Sequence, residues 1–228
     1  MNERVVSLLS GGLDSTTLLY LLKDDGYDVY ALTILYGQRH SKEASVARRI
    51  AERVGVDYVL VDLWDLKSVL HSSLTGHSEI PSPSAETPDA YVKSLQSTVV
   101  PNRNMIMLSI AAGYAYSIGA KAVAYAAHAS DYAVYPDCRP EFVKSLETTL
   151  QISLDDSSFR VLAPFVHMKK SEIVKLGKTL GVPFELTWSC YKGQSTHCGV
   201  CSSCKERHRA FVEAGVTDPT KYKVKPAI

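Results

Sequence analysis

Residues 5–15 read Val5-Val6-Ser7-Leu8-Leu9-Ser10-Gly11-Gly12-Leu13-Asp14-Ser15. The apolar first half is typical of a buried strand, and the apolar-periodic stretch from Thr16 to Leu22 predicts a helix after it. The two glycines between them permit a tight turn and a close approach of a ligand, because they carry no Cβ. The first N–H groups of the helix lack partners and carry partial positive charge, so the turn is predicted to bind an anion such as phosphate.

The turn differs from two common nucleotide-binding loops. It lacks the lysine of G-x-x-x-x-G-K-[ST] and the spacing of G-x-G-x-x-G. Ser10 to Ser15 instead resemble S-G-G-x-D-S, the pyrophosphate (PP) loop of the ATP pyrophosphatases. Two glycines alone would favour a turn without a ligand. The complete six-residue match between a strand and a helix favours ATP.

Bulk composition is that of an ordinary globular protein. The chain has 228 residues, 46% hydrophobic and 21% charged, with a net charge of +1 that gives no reason to expect a nucleic-acid partner. No apolar run approaches the roughly 20 residues that span a bilayer, and we expect no signal peptide. Four of the five cysteines lie near the C-terminus, which favours a metal site in a reducing compartment, here the cytoplasm.

Strand and helix patterns alternate along the chain. The predicted strands are 5–9, 29–35, 57–63, 122–127 and 160–163, and the later predicted helices are 42–54, 104–118, 140–154 and 171–180. This alternation predicts a parallel α/β sheet with helices on both faces and a ligand at the carboxyl ends of the strands. We divide the chain into an ATP-binding domain, 1–180, and a C-terminal metal-binding segment, 181–228, packed on it.

An inserted stretch at 72–97 interrupts the alternation. It is rich in Ser, Thr and Pro, including Pro81, Pro83 and Pro88. A loop this long is typical either of a functional lid or of a disordered segment, and the sequence leaves both open.

Four cysteines form the second constellation. Cys190, Cys198, Cys201 and Cys204 follow the spacing C-x7-C-x2-C-x2-C. Four thiolates suit one structural Zn²⁺, and an Fe–S cluster is the rival because it uses the same ligands. A site closed by four thiolates leaves no open position for a substrate. We interpret Cys138, which stands apart, as a small packed hydrophobe.

Further motifs indicate which family of PP-loop ATP pyrophosphatases the chain resembles. They are Tyr36-Gly37-Gln38-Arg39-His40, Val100-Pro101-Asn102-Arg103-Asn104, the stretch 135–142 and the stretch 185–191. Together with the cysteine spacing they resemble the 7-cyano-7-deazaguanine (preQ0) synthases, one family of the PP-loop ATP pyrophosphatases, from about Arg4 to Pro219. One departure is Asn102, where many members have glycine in V-P-G-R-N.

The resemblance implies a Rossmann-like fold and an ATP-dependent ligase. Such enzymes convert 7-carboxy-7-deazaguanine and ammonia into the nitrile preQ0, a precursor of queuosine and archaeosine, and release AMP and diphosphate. The carboxylate would be adenylated, ammonia would give an amide, and adenylation of the amide would allow loss of AMP to the nitrile. This chemistry needs no protein nucleophile, but it needs positioning and Mg²⁺.

The resemblance also implies site residues. The ATP-binding set is Leu9, Ser10, Gly11, Gly12, Leu13, Asp14, Ser15, Thr16, Thr17, Leu18, Leu19 and Arg39. The catalytic candidates are Asp14, Ser15, Arg103 and His40. Arg103 stands at a predicted helix start, where the helix terminus adds to its charge. A solvated basic pair is the alternative for Arg39 and His40.

The substrate pocket is predicted between Asp131 and Glu141, after the fourth strand. Tyr135 could stack on the base, Asp137 and Glu141 could accept its N–H groups, and Arg139 could bind its carboxylate. The alternative is a surface loop with solvated charges, in which case Trp188 and Tyr191 are the next candidates.

Three other functions match the sequence less well. A tRNA thiolase would use the same loop but would need a basic tRNA surface and a free relay cysteine. A zinc-ribbon binding module would leave the first 180 residues without a role. A glutamine-hydrolysing synthetase would need a further domain, so free ammonia is expected. The expected partners are small molecules rather than nucleic acid or membrane, and a homodimer is compatible with the sequence.

Overall fold

The fold is built on one parallel sheet. This computed structural model describes residues 2–38, 42–76, 92, 95–192 and 195–227. Its strands are β1 (Arg4–Leu8), β2 (Asp28–Leu35), β3 (Asp57–Asp62), β4 (Ala122–Ala124) and β5 (Arg160–Leu162). They pair in the order β3-β2-β1-β4-β5, and every pairing is parallel. The predicted α/β class is confirmed.

Helices cover both faces of the sheet. They are α1 (Leu13–Asp24), α2 (Lys42–Val54), α3 (Arg103–Ser117), α4 (Pro140–Leu154), α5 (Lys170–Thr179) and α6 (Ser202–Ala214). Successive side chains of a strand point to opposite faces. Val5 accordingly joins a core with α1, α2, α5 and α6, whereas Val6 joins a second core with α3 and α4.

Element bounds differ from the predicted ones in a few places. Helix α1 begins at Leu13 rather than Thr16, because Gly12 already serves as its N-cap. Strand β4 ends at Ala124 rather than Ala127, opposite the short β5. Helix α6 was not predicted. Its buried face carries Cys204, Arg207 and His208 beside Ala210 and Phe211, so the sequence lacks the apolar period of a helix.

The C-terminal segment shares the main core. All four clustered cysteines and Phe211 belong to the same buried cluster as Leu18 of α1. The boundary at residue 180 itself stays a prediction.

Of the inserted stretch 72–97, the structure describes residues 72–76, 92 and 95–97. Ser73 and Leu95 are buried, and a short 3-10 helix follows at Gln96–Thr98. The predicted lid otherwise lies outside the described residues, as do Arg39 and His40.

Candidate active site

The loop from Ser10 to Ser15, here called the phosphate loop, is fixed by close packing from two directions. Gly11 has φ of 78°, and a Cβ at this position would lie 2.8 Å from the Glu43 carbonyl oxygen of α2. From the other side, the Trp188 N–H donates to the Gly11 carbonyl at 2.9 Å. Glycine is therefore required here both for its backbone conformation and for the space.

The first turn of α1 points its unsatisfied N–H groups into a cavity. Its N-cap, Gly12, makes no side-chain cap. The Ser10 and Ser15 hydroxyls lie 3.0 Å apart, and Ser10 Oγ accepts the Gly12 N–H at 3.3 Å. Free N–H groups and two hydroxyls at a helix N-terminus suit an anion with several oxygens.

The structure divides the predicted ATP-binding set into two groups. The cavity is lined by Leu9, Ser10, Gly12, Leu13, Asp14 and Ser15. Thr16, Thr17, Leu18 and Leu19 are fully buried in the body of α1. Gly11 shapes the loop through its packing. Arg39 belongs to the part of the chain that is not described.

A cluster of charged groups surrounds Asp14. Lys170, at the start of α5, places Nζ 3.2 Å from Asp14 Oδ2 and 2.9 Å from Glu206 Oε2. His128 Nε2 lies 3.7 Å from Asp14 Oδ2 and 3.4 Å from Asp131 Oδ2. The cluster joins the carboxyl ends of β1, β4 and β5 to α6.

The electrostatics of the cluster favour an ionised Asp14. Burial opposes ionisation, but Lys170 and His128 hold the pKa of Asp14 well below its usual value. Burial likewise opposes the charge of Lys170, yet Asp14 and Glu206 raise its pKa. Burial raises the pKa of Asp131 against the attraction of His128. Within the described chain Asp14 Oδ1 is buried without a hydrogen-bond partner, so one oxygen stays available to a ligand.

A second part of the described cavity lining, here called the aromatic wall, is rich in tyrosine and carries Arg103. Arg103 Nη1 donates to the Tyr36 hydroxyl at 3.2 Å, and Tyr135 and Tyr191 also line this wall. The Tyr135 hydroxyl lies 2.7 Å from Thr98 Oγ1. Tyrosine faces suit a flat heterocycle, and the guanidinium suits a carboxylate or phosphate.

The residue before Arg103 explains the departure from the family motif. Asn102 is the N-cap of α3 and has φ of 59°. Glycine adopts this left-handed conformation freely, and asparagine is among the few other residues that adopt it routinely. Asn102 therefore accommodates a backbone conformation that glycine would also adopt freely.

The predicted substrate segment contributes one of its four residues to the cavity. Tyr135 lines it. Asp137 instead accepts the Asn104 N–H at 3.0 Å and caps α3. Arg139 is exposed and donates to the Tyr132 carbonyl, and Glu141 is exposed in the first turn of α4. Among the described lining residues, Asp137, Arg139 and Glu141 are not found.

Several lining residues were missed by the sequence analysis. His128 follows β4 and Lys170 follows β5, so a search of the carboxyl edge could have found them, whereas Asp131 begins the predicted substrate segment but was given no role there. Glu43 and Glu206 had no such signal, because each enters the site through packing between helices.

The four cysteines converge on one point. Their sulfur atoms all lie within 4.8 Å of one another, and every cysteine is buried. Backbone N–H groups of Cys198, Val200 and Cys201 donate to sulfur at 3.4 Å. A tetrahedral Zn²⁺ fits this all-sulfur set, which has no oxygen ligand.

The cysteine cluster lies next to the cavity. Trp188 and Ser189 precede Cys190, Tyr191 follows it, and Ser203 and Glu206 flank Cys204; all five line the cavity. The segment that could hold the metal therefore forms one wall of the site. In the described part of the chain, no helix is long and apolar enough to cross a membrane.

Comparisons with known proteins agree over nearly the whole chain. The family model described as "Queuosine biosynthesis protein QueC" matches residues 4–215. The 7-cyano-7-deazaguanine synthase of Archaeoglobus fulgidus is 51% identical over 95% of this chain and 89% of its own length. The enzyme of that name from Caldicellulosiruptor bescii is 45% identical over 97% of this chain and 98% of its own length.

Solved structures support the fold. NMN synthetase from Francisella tularensis is 14% identical, with a TM-score of 0.51 over 95% of this chain and 79% of that one. A 4-thiouridine synthetase, solved with RNA and bound ATP, is 18% identical, with a TM-score of 0.52 over 93% of this chain and 50% of that one. These similarities concern the fold alone. The family match and the identity to the named synthases show that this chain belongs to the QueC family of 7-cyano-7-deazaguanine synthases.

Proposed function

We propose that the chain is an ATP-dependent ligase that forms 7-cyano-7-deazaguanine from 7-carboxy-7-deazaguanine and ammonia, releasing AMP and diphosphate. One structural observation supports the proposal independently of the names of the chain's relatives. A single cavity is lined by the N-terminal turn of α1, which suits an anion, and by Arg103 with three tyrosines, which suit a flat acid. A nucleotide and a flat acid could therefore meet within it.

The phosphate loop would hold the pyrophosphate part of ATP. Free N–H groups at the start of α1 and the hydroxyls of Ser10 and Ser15 would bind its oxygens. Lys170 is already held in the site by Asp14 and Glu206 and would offset the phosphate charge. Asp14 Oδ1 is the hard oxygen ligand that Mg²⁺ prefers, so Asp14 fits a Mg²⁺ that would accompany ATP.

The aromatic wall would hold the deazaguanine acid. Tyr36, Tyr135 and Tyr191 would contact the flat ring system, and Arg103 would bind the carboxylate or the adenylate formed from it. Asp131 and Glu206, which also line the cavity, would accept N–H groups of the guanine-like edge. They replace Asp137 and Glu141 as acceptors in our assignment, and Arg103 replaces Arg139.

The chemistry then requires positioning rather than a protein nucleophile. A carboxylate oxygen attacks the α-phosphorus of ATP, and diphosphate leaves. Ammonia displaces AMP from the acyl adenylate and leaves an amide. Adenylation of the amide oxygen, followed by loss of AMP, gives the nitrile. Groups that hold the phosphates and the acid in line account for catalysis of this kind.

The cysteine cluster would hold structural zinc in the cytoplasm. Thiolate ligation needs reduced cysteines. An Fe–S cluster uses the same ligands, so elemental analysis is the measurement that separates the two.

A tRNA thiolase is less well supported. It would need a reactive thiol, and Cys138 is the one described cysteine outside the cluster. Burial raises the pKa of the Cys138 thiol, and the nearby Asp131 and Asp137 raise it further. Such a thiol stays protonated and is a weak nucleophile.

Release of diphosphate from ATP tests the proposed function. With 7-carboxy-7-deazaguanine present, we expect diphosphate and AMP to appear, and the nitrile to form once ammonium is added. Guanine, which lacks the carboxylate, is the matched control and should release nothing. Diphosphate release that depends on tRNA instead of the acid would contradict the proposal.

A further inference from the structure

Glu43 is an acidic residue of the cavity lining. It lies in the first turn of α2, and its carbonyl oxygen packs against Gly11 of the phosphate loop. Within the described chain, the Glu43 carboxylate has neither a hydrogen-bond nor an ion-pair partner. A carboxylate in this position is available to a ligand.

Two groups from other elements face Glu43. Arg103, at the start of α3, favours the charged form of Glu43. The charge of Glu43 in turn acts on Tyr36, which follows β2, and raises the pKa of its hydroxyl after burial has already raised it. Arg103 and Tyr36 form the wall assigned to the acid. Glu43 therefore borders both the phosphate loop and the acid-binding wall, which is where the acyl adenylate would form.

The protonation of Glu43 suits proton transfer. Burial raises its pKa to about 7, and Arg103 only partly opposes this. A group whose pKa lies near the working pH is a good general base, because both of its forms are populated.

Ammonia, the second substrate, needs a general base of this kind. Ammonia is present near neutral pH almost entirely as ammonium, which has no lone pair for attack. Ammonium is small and carries four N–H donors, so a carboxylate in a desolvated cavity is a natural ligand for it. Among the cavity acids, Asp14 and Glu206 are paired with Lys170, and Asp131 faces His128.

We propose that Glu43 binds the ammonium ion beside the acyl adenylate and accepts a proton from it, so that ammonia attacks the acyl carbon. This inference rests on the proposed function. A C–N bond forms and the C–O bond to AMP breaks, with AMP leaving with the electron pair. Ammonium loses two protons in total. Glu43 takes the first and passes it to solvent before the second leaves the nitrogen. No oxidant or reductant is needed.

The reaction sequence offers a direct test, because only its first half uses ammonia. Glu43→Gln keeps the shape of the side chain and removes its charge. We expect at least a tenfold lower kcat/KM for ammonium in amide formation. Acid-dependent exchange of diphosphate into ATP should stay within twofold of wild type. Conversion of the synthetic amide, 7-amido-7-deazaguanine, to the nitrile should also stay within twofold.

Controls separate this role from a structural one. Glu52→Gln makes the same change on the exposed face of α2 and should leave all three rates unchanged. Glu43→Asp retains the charge and should recover part of the ammonium step. Equal melting temperatures for wild type and Glu43→Gln would show that the fold is intact.

Other outcomes overturn the inference. If Glu43→Gln slows conversion of the amide as much as that of the acid, Glu43 acts in adenylation and not in the binding or deprotonation of ammonium. A raised KM for ATP would assign it to the nucleotide. An unchanged kcat/KM for ammonium would remove it from the reaction. Failure of diphosphate exchange in the wild-type protein would instead reject the proposed function itself.

Discussion

Asp14 combines an ion pair with an unsatisfied oxygen. Oδ2 faces Lys170, and Oδ1 is buried without a described partner. We expect Asp14→Asn to lower acid-dependent diphosphate release by at least 100-fold, because it removes the proposed Mg²⁺ ligand and one of the two carboxylates that offset the charge of Lys170. The fold should survive, since Glu206 still pairs with Lys170.

Diphosphate release and a thermal melt check this prediction together. Asp24→Asn, at the exposed end of the same helix, is the matched control and should behave as wild type. Normal turnover by Asp14→Asn would remove this carboxylate from the mechanism.

The same carboxylate predicts a pH dependence of stability. The pKa of Asp14 in the folded protein lies below its ordinary value of 3.8. A lowered pKa stabilises the fold above the unfolded pKa, and that stabilisation is lost as pH falls toward the folded value. We expect the free energy of unfolding to fall below about pH 5, and to fall less steeply in Asp14→Asn. Urea titrations of both proteins between neutral pH and acid pH check this, and parallel curves would contradict it.

Variants of Arg103 and Asp137 distinguish the proposed binding of the acid from capping of α3. Arg103→Lys should raise the KM for the acid about tenfold, because the planar fork is lost. Asp137→Ala should destabilise the protein by about 1 kcal/mol, through loss of the cap on Asn104. Arg139→Ala should do neither, since its side chain is exposed.

Steady-state kinetics in the acid, combined with urea unfolding, check these three variants. A raised KM in Arg139→Ala with a normal KM in Arg103→Lys would restore the assignment made from the sequence.

At the scale of elements, the start of α3 depends on a left-handed residue. Asn102→Gly should leave stability within about 0.5 kcal/mol of wild type, whereas Asn102→Val should cost about 1–2 kcal/mol, because a β-branched residue resists a positive φ. Arg103 follows directly, so we expect Asn102→Val to raise the KM for the acid as well. Chemical denaturation of the two variants tests the difference, and equal stabilities would contradict it.

The elements that the sequence predicted well are those with a clear period. Helix α2 matches its predicted bounds of 42–54, because Ala44, Ala47 and Ile50 form an apolar stripe. The site was less predictable. The phosphate loop is a local motif, but Glu43 and Glu206 reach the cavity only through packing of α2 and α6. Asp137 was assigned to the substrate because a carboxylate near a binding edge has no sequence feature that distinguishes capping from recognition.

At the scale of the whole molecule, hydrogen bonds and a shared core connect the C-terminal segment to the phosphate loop. The buried Arg207 donates to Thr187 Oγ1 at 2.7 Å and to the Phe184 carbonyl at 2.8 Å. These bonds fix the chain that leads into Trp188, whose backbone N–H donates to the Gly11 carbonyl. A change at the cysteines should therefore reach the ATP site.

Removal of the proposed metal from the four cysteines tests this coupling. Because binding of a structural metal is coupled to folding, chelation should unfold the segment around Cys190 to Cys204. Hydrogen exchange should then accelerate at Trp188, which loses its bond to Gly11, as well as within α6. Affinity for ATP should fall in parallel.

A serine variant of one ligand sharpens the experiment. Cys201→Ser should lose the metal and show the same pattern of exchange, whereas Cys138→Ser, outside the cluster, should retain one zinc per chain. Iron with labile sulfide in the purified protein would show that the cysteines hold an Fe–S cluster instead of zinc. If chelation speeds exchange in α6 but leaves Trp188 protected and ATP affinity unchanged, the segment is an independent unit. The wall that it contributes to the cavity would then form without the metal.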